Sequence, residues 1–165
     1  MFDNSLKTVE LFSDGACSSN PGKGGYGTIL KYGEKKKELS CGFRLTTNNR
    51  MEILGVLSGL EALKEPCNVI ITSDSKYVID ALSKGWVYAW KKKGWIKSDR
   101  KRALNVDLWE RLLLEIEKHN VTYNWVKGHA GHPENERCDE LAVSAYGGTD
   151  LAVDTEYERE NGNAL

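Results

Sequence analysis

Asn68-Val69-Ile70-Ile71-Thr72-Ser73-Asp74-Ser75-Lys76-Tyr77-Val78-Ile79-Asp80-Ala81-Leu82-Ser83 changes its periodicity midway. Val69-Ile70-Ile71 is a continuous apolar run, the mark of a strand buried on both faces. Ser75 is placed to cap a helix over Lys76–Ser83. A strand that runs straight into a helix belongs to a layered α/β architecture, and the flanking sequence is consistent with one. Upstream, Lys7–Ser13 alternates around Val9 and Leu11, Gly25–Tyr32 carries Tyr26, Ile29 and Tyr32, and Lys37–Leu45 follows a turn at Gly33-Glu34. Short connections make these three strands antiparallel neighbours. Asn48-Asn49 offers an N-cap for a helix with Met51, Leu54, Leu57, Leu60 and Leu63 at helical spacing, closed by Pro66. Gly55 and Gly59 inside it cost about 1 kcal/mol each against alanine, which predicts close packing on a neighbour.

Downstream, Trp86–Lys93 and Asn105–His119 read as helices, Val121–Val126 as a last strand, and a helix starting at Pro133 runs through Tyr146. The resulting order, β-β-β-α-β-α-α-α-β-α, predicts an α/β fold. Its mixed five-stranded sheet has three antiparallel N-terminal strands and two further parallel strands, flanked by helices. Residues 1–147 are expected to form a single domain and 148–165 an acidic, flexible C-terminal tail.

The chain has 165 residues, 40% of them hydrophobic and 28% charged, enough to bury a core without disulfides or a structural metal. No apolar run reaches the ~18 residues of a membrane helix, and Met1-Phe2-Asp3-Asn4-Ser5-Leu6-Lys7 lacks the pattern of a signal peptide. A soluble, cytoplasmic protein without membrane contact is expected, monomeric by default, with Cys17, Cys41, Cys67 and Cys138 reduced. The net charge of −1 hides an uneven distribution. Lys84–Arg111 holds nine cations against three anions, interleaved with tryptophans, and Asp150–Leu165 holds five anions against Arg159. Such a basic block is a local footprint for phosphates.

Asp14 ends the first strand and Asp74 the buried one, so both emerge where open α/β sheets place their sites. Glu52 lies in the first turn of the first long helix and Asp139 in the last helix. Singly, such residues are ordinarily turn formers or helix caps. Together, without sulfur or paired histidines, they form a hard oxygen set suited to Mg²⁺ or Mn²⁺. Clustered carboxylates repel unless a cation neutralises them, and two divalent ions ~4 Å apart activate water and stabilise a leaving phosphate ester. Gly22-Lys23-Gly24-Gly25-Tyr26-Gly27 matches G-x-G-x-x-G, but it precedes a strand and reads as a flexible hairpin. His129, His132 and Cys138 lack a fourth zinc ligand at a usual spacing, and Cys138 sits on the apolar side of its helix, unsuited to a thiol nucleophile. Trp86, Trp90 and Trp95 divide between packing and flanking a groove.

Ser13-Asp14-Gly15, Asn20-Pro21-Gly22, Gly24-Gly25-Tyr26-Gly27, Thr46-Thr47-Asn48-Asn49-Arg50-Met51-Glu52, Thr72-Ser73-Asp74-Ser75, Asn105-Val106-Asp107-Leu108-Trp109 and the fourteen residues from Val126 to Asp139 follow one another in order. In that order, from about Val9 to Ala145, they closely resemble the bacterial ribonuclease HI (type 1 ribonuclease H) family. The resemblance implies a ribonuclease H-like fold and an endonuclease that hydrolyses the RNA strand of RNA/DNA hybrids with little sequence specificity. It also implies 3′-hydroxyl and 5′-phosphate ends and Mg²⁺ as cofactor, two ions per site with substrate. By the same resemblance Asp14, Glu52, Asp74 and Asp139 are the metal-binding carboxylates. Asp14 would bridge both ions, Glu52 and Asp74 would hold the ion near the leaving group, and Asp139 would hold the ion that activates water. His129 would assist proton transfer or product release.

Cys17, Asn20, Asn48 and Asn49 are implied hybrid contacts, several near 2′-hydroxyls, and Thr47 would help hold a DNA-strand phosphate. The stretch Trp86–Arg102 matches the family's substrate-binding handle, with Trp86, Trp90, Lys91, Lys92, Lys93 and Trp95 as contacts. Lys97, Arg100, Lys101 and Arg102 would add salt-dependent phosphate attraction. Lys76 departs from the pattern. Bacterial relatives commonly carry Gln there, and a phosphate contact by Lys76 is expected in place of the 2′-hydroxyl contact that the resemblance implies. Two other classes fit less of the sequence. A hybrid-binding protein without turnover predicts a missing carboxylate, and a junction resolvase or integrase predicts neither the handle nor the Thr46-Thr47-Asn48-Asn49 stretch.

Overall fold

The computed structural model describes residues 2–161. In it the Val69-Ile70-Ile71 run lies in β4 (Cys67–Ser73), between β1 (Lys7–Cys17) and β5 (Asn120–Trp125), both parallel to it. β2 (Gly22–Tyr32) pairs antiparallel with β1, and β3 (Lys35–Thr46) antiparallel with β2, giving the order β3-β2-β1-β4-β5. The helices are α1 (Asn48–Glu61), α2 (Lys76–Ser83), α3 (Trp86–Lys92), α4 (Val106–Ile116), α5 (Pro133–Gly147) and α6 (Thr155–Glu160). The expected mixed five-stranded sheet is therefore present. Val69 and Ile71 are fully buried, as the apolar run requires.

Glycines explain how helices reach both faces of this sheet. A Cβ on Gly27 would sit 2.2 Å from the Cys138 carbonyl oxygen, and one on Gly25 would sit 2.6 Å from that of Ala142. These β2 positions carry no side chain because the backbone of α5 lies on them. The stretch read as a flexible hairpin is thus the start of a strand, flattened for a helix to pack on it. The alternate β2 residues, Tyr26 and Thr28, face Gly55 of α1 at van der Waals distance, and Gly59 is pressed on Leu11. Because successive strand residues point to opposite faces, α1 and α5 cover opposite sides of the sheet. The interior glycines of α1 do mark close packing. Leu11, Ile53, Val56, Leu57, Leu60, Trp109, Leu112 and Val78 join in one apolar cluster that ties α1, α2 and α4 to the sheet.

Three local readings change. Thr47, not Asn48 or Asn49, caps α1: its Oγ accepts the Arg50 N–H at 3.3 Å, and both asparagines are already helical. β1 continues past Asp14 to Cys17, because its pairing with β2 outlasts its pairing with β4. The supposed loose tail is docked over its described part. Ala152 exchanges backbone hydrogen bonds with Gly42 and Arg44 of β3, and α6 follows it. Acidic composition suggested exposure, yet Asp154 and Glu158 are buried because each meets an arginine of the domain, Arg50 and Arg44. Residues 162–165 lie outside the described residues. Among the described residues no helix is long and apolar enough to cross a membrane, and all four cysteines are free.

Candidate active site

β1 and β4 run side by side in register as far as Ser13 and Ser73. Asp14 and Asp74 are the next residues on each chain, so their carboxylates stand together where the two parallel strands part. Gly15 then permits the third. A Cβ there would lie 2.6 Å from the Glu52 backbone nitrogen, so the first turn of α1 rests directly on the β1 backbone and delivers Glu52. Carboxylate oxygens of Asp14, Glu52 and Asp74 lie within 4.8 Å of one another. Asp139, half-buried on α5, is outside this tight group but close enough for its charge to act on Asp14.

Burial is the main force on Asp14 and Glu52. It pushes the Asp14 carboxyl up to about 8, helped by the charges of Asp74 and Asp139 and opposed by the Gly15 N–H, which donates to Asp14 Oδ1 at 2.9 Å. Glu52 is driven well above the usual carboxylate range, again by burial first and then by Asp14 and Asp74. Among the described residues no lysine or arginine acts on Asp14 or Glu52 to offset this. Glu52 Oε2 is buried and lacks any hydrogen-bond partner. A buried carboxylate oxygen without a donor costs the full desolvation penalty unless a cation meets it. The residues present therefore fit a hard divalent cation with oxygen ligands.

His129 is exposed on the loop after β5, in a left-handed backbone conformation with φ of 55°. Gly128 brings that loop onto the cluster, since a Cβ there would be 2.5 Å from Asp74 Oδ2. A side chain at 128 would force either the Asp74 carboxylate or the loop to shift. On the other flank, the Asn20 side-chain oxygen accepts the Asn48 backbone N–H at 3.1 Å, joining the β1–β2 loop to the start of α1. Cys17 faces the same region. Burial, then the charge of Glu52, raises its thiol to about 11, so it remains a neutral donor there. Thr47 and Asn49 line a 410 Å³ cavity with Asn20 and Asn105.

The basic stretch divides as expected between packing and exposure. Trp90 and Trp95 pack against the core, with Trp90 edge-on to Trp109 at 6.4 Å, whereas Trp86 is 45% exposed beneath the Lys84 ammonium. Lys91, Lys92 and Lys93 are exposed at the end of α3, with no carboxylate partner among the described residues. The zinc reading of His129, His132 and Cys138 finds no support: Cys138 is fully buried, and burial raises its thiol far above the usual range.

Three features escaped the sequence reading. Trp125 donates its indole N–H to the Asp74 carbonyl at 2.9 Å. Asn105 adopts φ of 63°, accepts from Arg50 and donates to the Tyr77 hydroxyl, so it is a hinge point between α1, α2 and α4. Asn135 is buried with an unpartnered Oδ1. The position of Asn135 within Pro133-Glu134-Asn135-Glu136 was visible, but nothing in the spacing marked it as buried.

Sheet order and carboxylate placement together define an α/β protein built around a site for hard cations. The RNase H family model matches residues 6–146. The ribonuclease H of Desulforamulus reducens is 57% identical over 152 residues, covering 92% of this chain and 96% of that protein. Among solved structures, LC9-RNase H1, a type 1 RNase H with the type 2 active-site motif, superimposes with a TM-score of 0.77 at 29% identity. That match covers 99% of this chain and 83% of the other. LC11-RNase H1, solved in complex with an RNA/DNA hybrid, shares the fold at a TM-score of 0.67 and 17% identity, over 84% of this chain and 96% of its own. The chain belongs to the ribonuclease H family, whose members are endonucleolytic hydrolases.

Proposed function

We propose that the protein cleaves the RNA strand of RNA/DNA hybrids by two-metal-ion hydrolysis, leaving 3′-hydroxyl and 5′-phosphate ends. One observation carries this reading: two buried carboxylates, Asp14 and Glu52, and the half-buried Asp74 share a space, and among the described residues Glu52 Oε2 has no hydrogen-bond donor. In the proposed mechanism Asp14, Glu52, Asp74 and Asp139 hold two Mg²⁺ ions. When bound, these supply Lewis acidity that activates water and stabilises the departing ribose oxygen. Asp14 shares the cluster with Glu52 and Asp74 and also feels the charge of Asp139, which suits it to serve both ions. Gly15 and Gly128 set the spacing by letting α1 and the His129 loop approach the aspartates. His129, exposed and adjacent to Gly128, is positioned to carry a proton away from the site or to help release product.

Selection of the RNA strand falls to Cys17, Asn20, Asn48 and Asn49. A 2′-hydroxyl both donates and accepts, so side-chain amides and backbone groups there can distinguish ribose from deoxyribose. Thr47 lines the cavity that would take a DNA-strand phosphate. Trp86, Trp90, Trp95 and Lys91, Lys92, Lys93 would hold the duplex mainly through phosphate attraction, and Lys76 would add a further phosphate contact near Asp74. None of these contacts reads a base edge, so little sequence preference is expected. That LC11-RNase H1 binds an RNA/DNA hybrid on the same fold supports the choice of substrate.

The chemistry is tested by its products. Internally labelled RNA annealed to DNA should yield fragments whose 5′ ends lose phosphate to a phosphatase and whose 3′ ends accept extension by a polymerase. Fragments ending in 3′-phosphate or 2′,3′-cyclic phosphate would mean that the ribose hydroxyl, not water, is the nucleophile, and the mechanism would be wrong.

A further inference from the structure

Lys76 opens α2 two residues after Asp74, and its ammonium lies 5.0 Å from the centre of the Trp125 ring. The ring itself is anchored. Trp125 ends β5, pairs in register with Ser73, and donates its indole N–H to the Asp74 carbonyl at 2.9 Å. The edge of the tryptophan is thereby fixed to the backbone of a cluster residue while a face meets the lysine, with 43% of the tryptophan open to solvent. Lys76 is exposed and has no carboxylate partner among the described residues, so its ammonium rests on the Trp125 ring alone among them. A free lysine at a surface samples many rotamers, and ordering it on a phosphate costs entropy at each binding event. The negative face of an indole attracts an ammonium and restricts that sampling before substrate arrives.

We propose that Trp125 is a positioning residue: it holds the Lys76 ammonium beside Asp74 so that it meets a backbone phosphate of the strand being cut. The inference rests on the hybrid-cleaving reading above. It gives the exposed Trp125 at the end of β5 a task that packing does not. It also assigns Lys76 a role that a flexible surface lysine would fill poorly. The carboxylate cluster repels an incoming polyanion, and a cation held at its edge, but not paired with it, offsets that repulsion without displacing metal.

The test is steady-state cleavage of an RNA/DNA hybrid with Mg²⁺ over a range of KCl, comparing wild type, Lys76→Met, Trp125→Thr, Trp125→Phe and the Lys76→Met/Trp125→Thr double variant. Thr suits a strand end, and Phe keeps a ring, so both variants of the half-exposed Trp125 should fold. Lys76→Met is expected to raise KM about fivefold and to reduce the salt slope by about one, the signature of one lost phosphate contact. Trp125→Thr should raise KM about threefold with a similar loss of slope, while the change falls on KM and not on kcat. Trp125→Phe should keep most of the slope, and the double variant should be no worse than Lys76→Met. A Trp125→Thr protein with the wild-type slope beside a Lys76→Met protein that has lost it would overturn the positioning role alone. A fall in kcat for both Trp125 variants would assign the ring to Asp74 instead. Wild-type protein that leaves the hybrid intact would overturn the underlying reading.

Discussion

Asp14→Asn removes metal-dependent cleavage, by about 10³-fold or more, while making the metal-free protein more stable. Both effects come from one carboxylate. Asp14 shares the cluster with Asp74 and Glu52 and also feels the charge of Asp139, so its loss takes away the ligand that both ions would share. In the metal-free protein the same charge is a burden. Its folded value of about 8 stands above an ordinary value of 3.8, raised first by burial and then by its acidic neighbours. A carboxyl raised on folding binds protons more tightly in the native state. Stability of the metal-free protein therefore falls as pH rises from about 4 to about 8, and is unaffected by this group below that window. Asparagine abolishes the decline. At pH 8 the variant should gain on the order of 2 kcal/mol, seen as a Tm higher by roughly 4–8 °C in EDTA. Adding Mg²⁺ should raise the Tm of the wild type and leave the variant almost unmoved. A variant less stable than wild type at pH 8 without metal would show that the cluster is not under repulsion.

Arg50→Met should be the most damaging single change outside the carboxylate cluster itself, costing about 3–5 kcal/mol in urea unfolding. Arg50 is 2% exposed and reaches two acids at once. Its Nε donates to Asp154 at 2.7 Å, and two further guanidinium nitrogens donate to Asp107 at 2.9 and 2.7 Å. Asp154 also accepts from the Thr46 hydroxyl at 2.7 Å. One guanidinium thus fastens the start of α1, the start of α4 and the C-terminal segment. Methionine would leave the buried Asp154 without its counter-ion. Asp154→Asn, which keeps the Thr46 hydrogen bond and leaves Arg50 its Asp107 partner, should cost less than half as much. Burial works to raise the Asp107 carboxyl, but the hydrogen bonds and charge of Arg50 prevail and hold it below its ordinary value. A lowered carboxyl adds stability above its unfolded value and loses it as pH falls, so the gap between wild type and Arg50→Met should narrow below about pH 4. An Arg50→Met protein that unfolds at the wild-type urea concentration would show that the C-terminal segment is held by something other than this network.

What was legible in the sequence and what was not follow a physical division. A continuous apolar run exposed β4, helical spacing exposed α4 and a capping serine exposed α2, and the two aspartates after β1 and β4 were readable as neighbours once those strands were taken as parallel. The Gly55 and Gly59 pair announced tight packing because helices otherwise avoid glycine. Gly25 and Gly27 fell inside the strand read over Gly25–Tyr32 but were also read as a flexible hairpin, because in a strand glycine reports an approaching backbone, and that backbone, α5, is more than a hundred residues away in sequence. The C-terminal segment was hidden by its charge. Composition registers Asp154 and Glu158 as solvated, and only the fold shows that Arg44 and Arg50 stand opposite them. Trp125 and Asn105 were invisible for the same reason, since their partners come from distant elements.

The most direct measurement follows end-labelled RNA in four forms: paired with DNA, paired with RNA, single-stranded, and as one ribose within a DNA duplex. Each is incubated with Mg²⁺ and then with chelator. Cleavage of the RNA/DNA hybrid with Mg²⁺, its loss with chelator, and intact duplex and single-stranded RNA are the expected outcome, and the single-ribose duplex shows how long a ribose tract the site needs. Tight binding of the hybrid with no cleavage at any Mg²⁺ concentration, or cleavage that persists in chelator, would contradict the account.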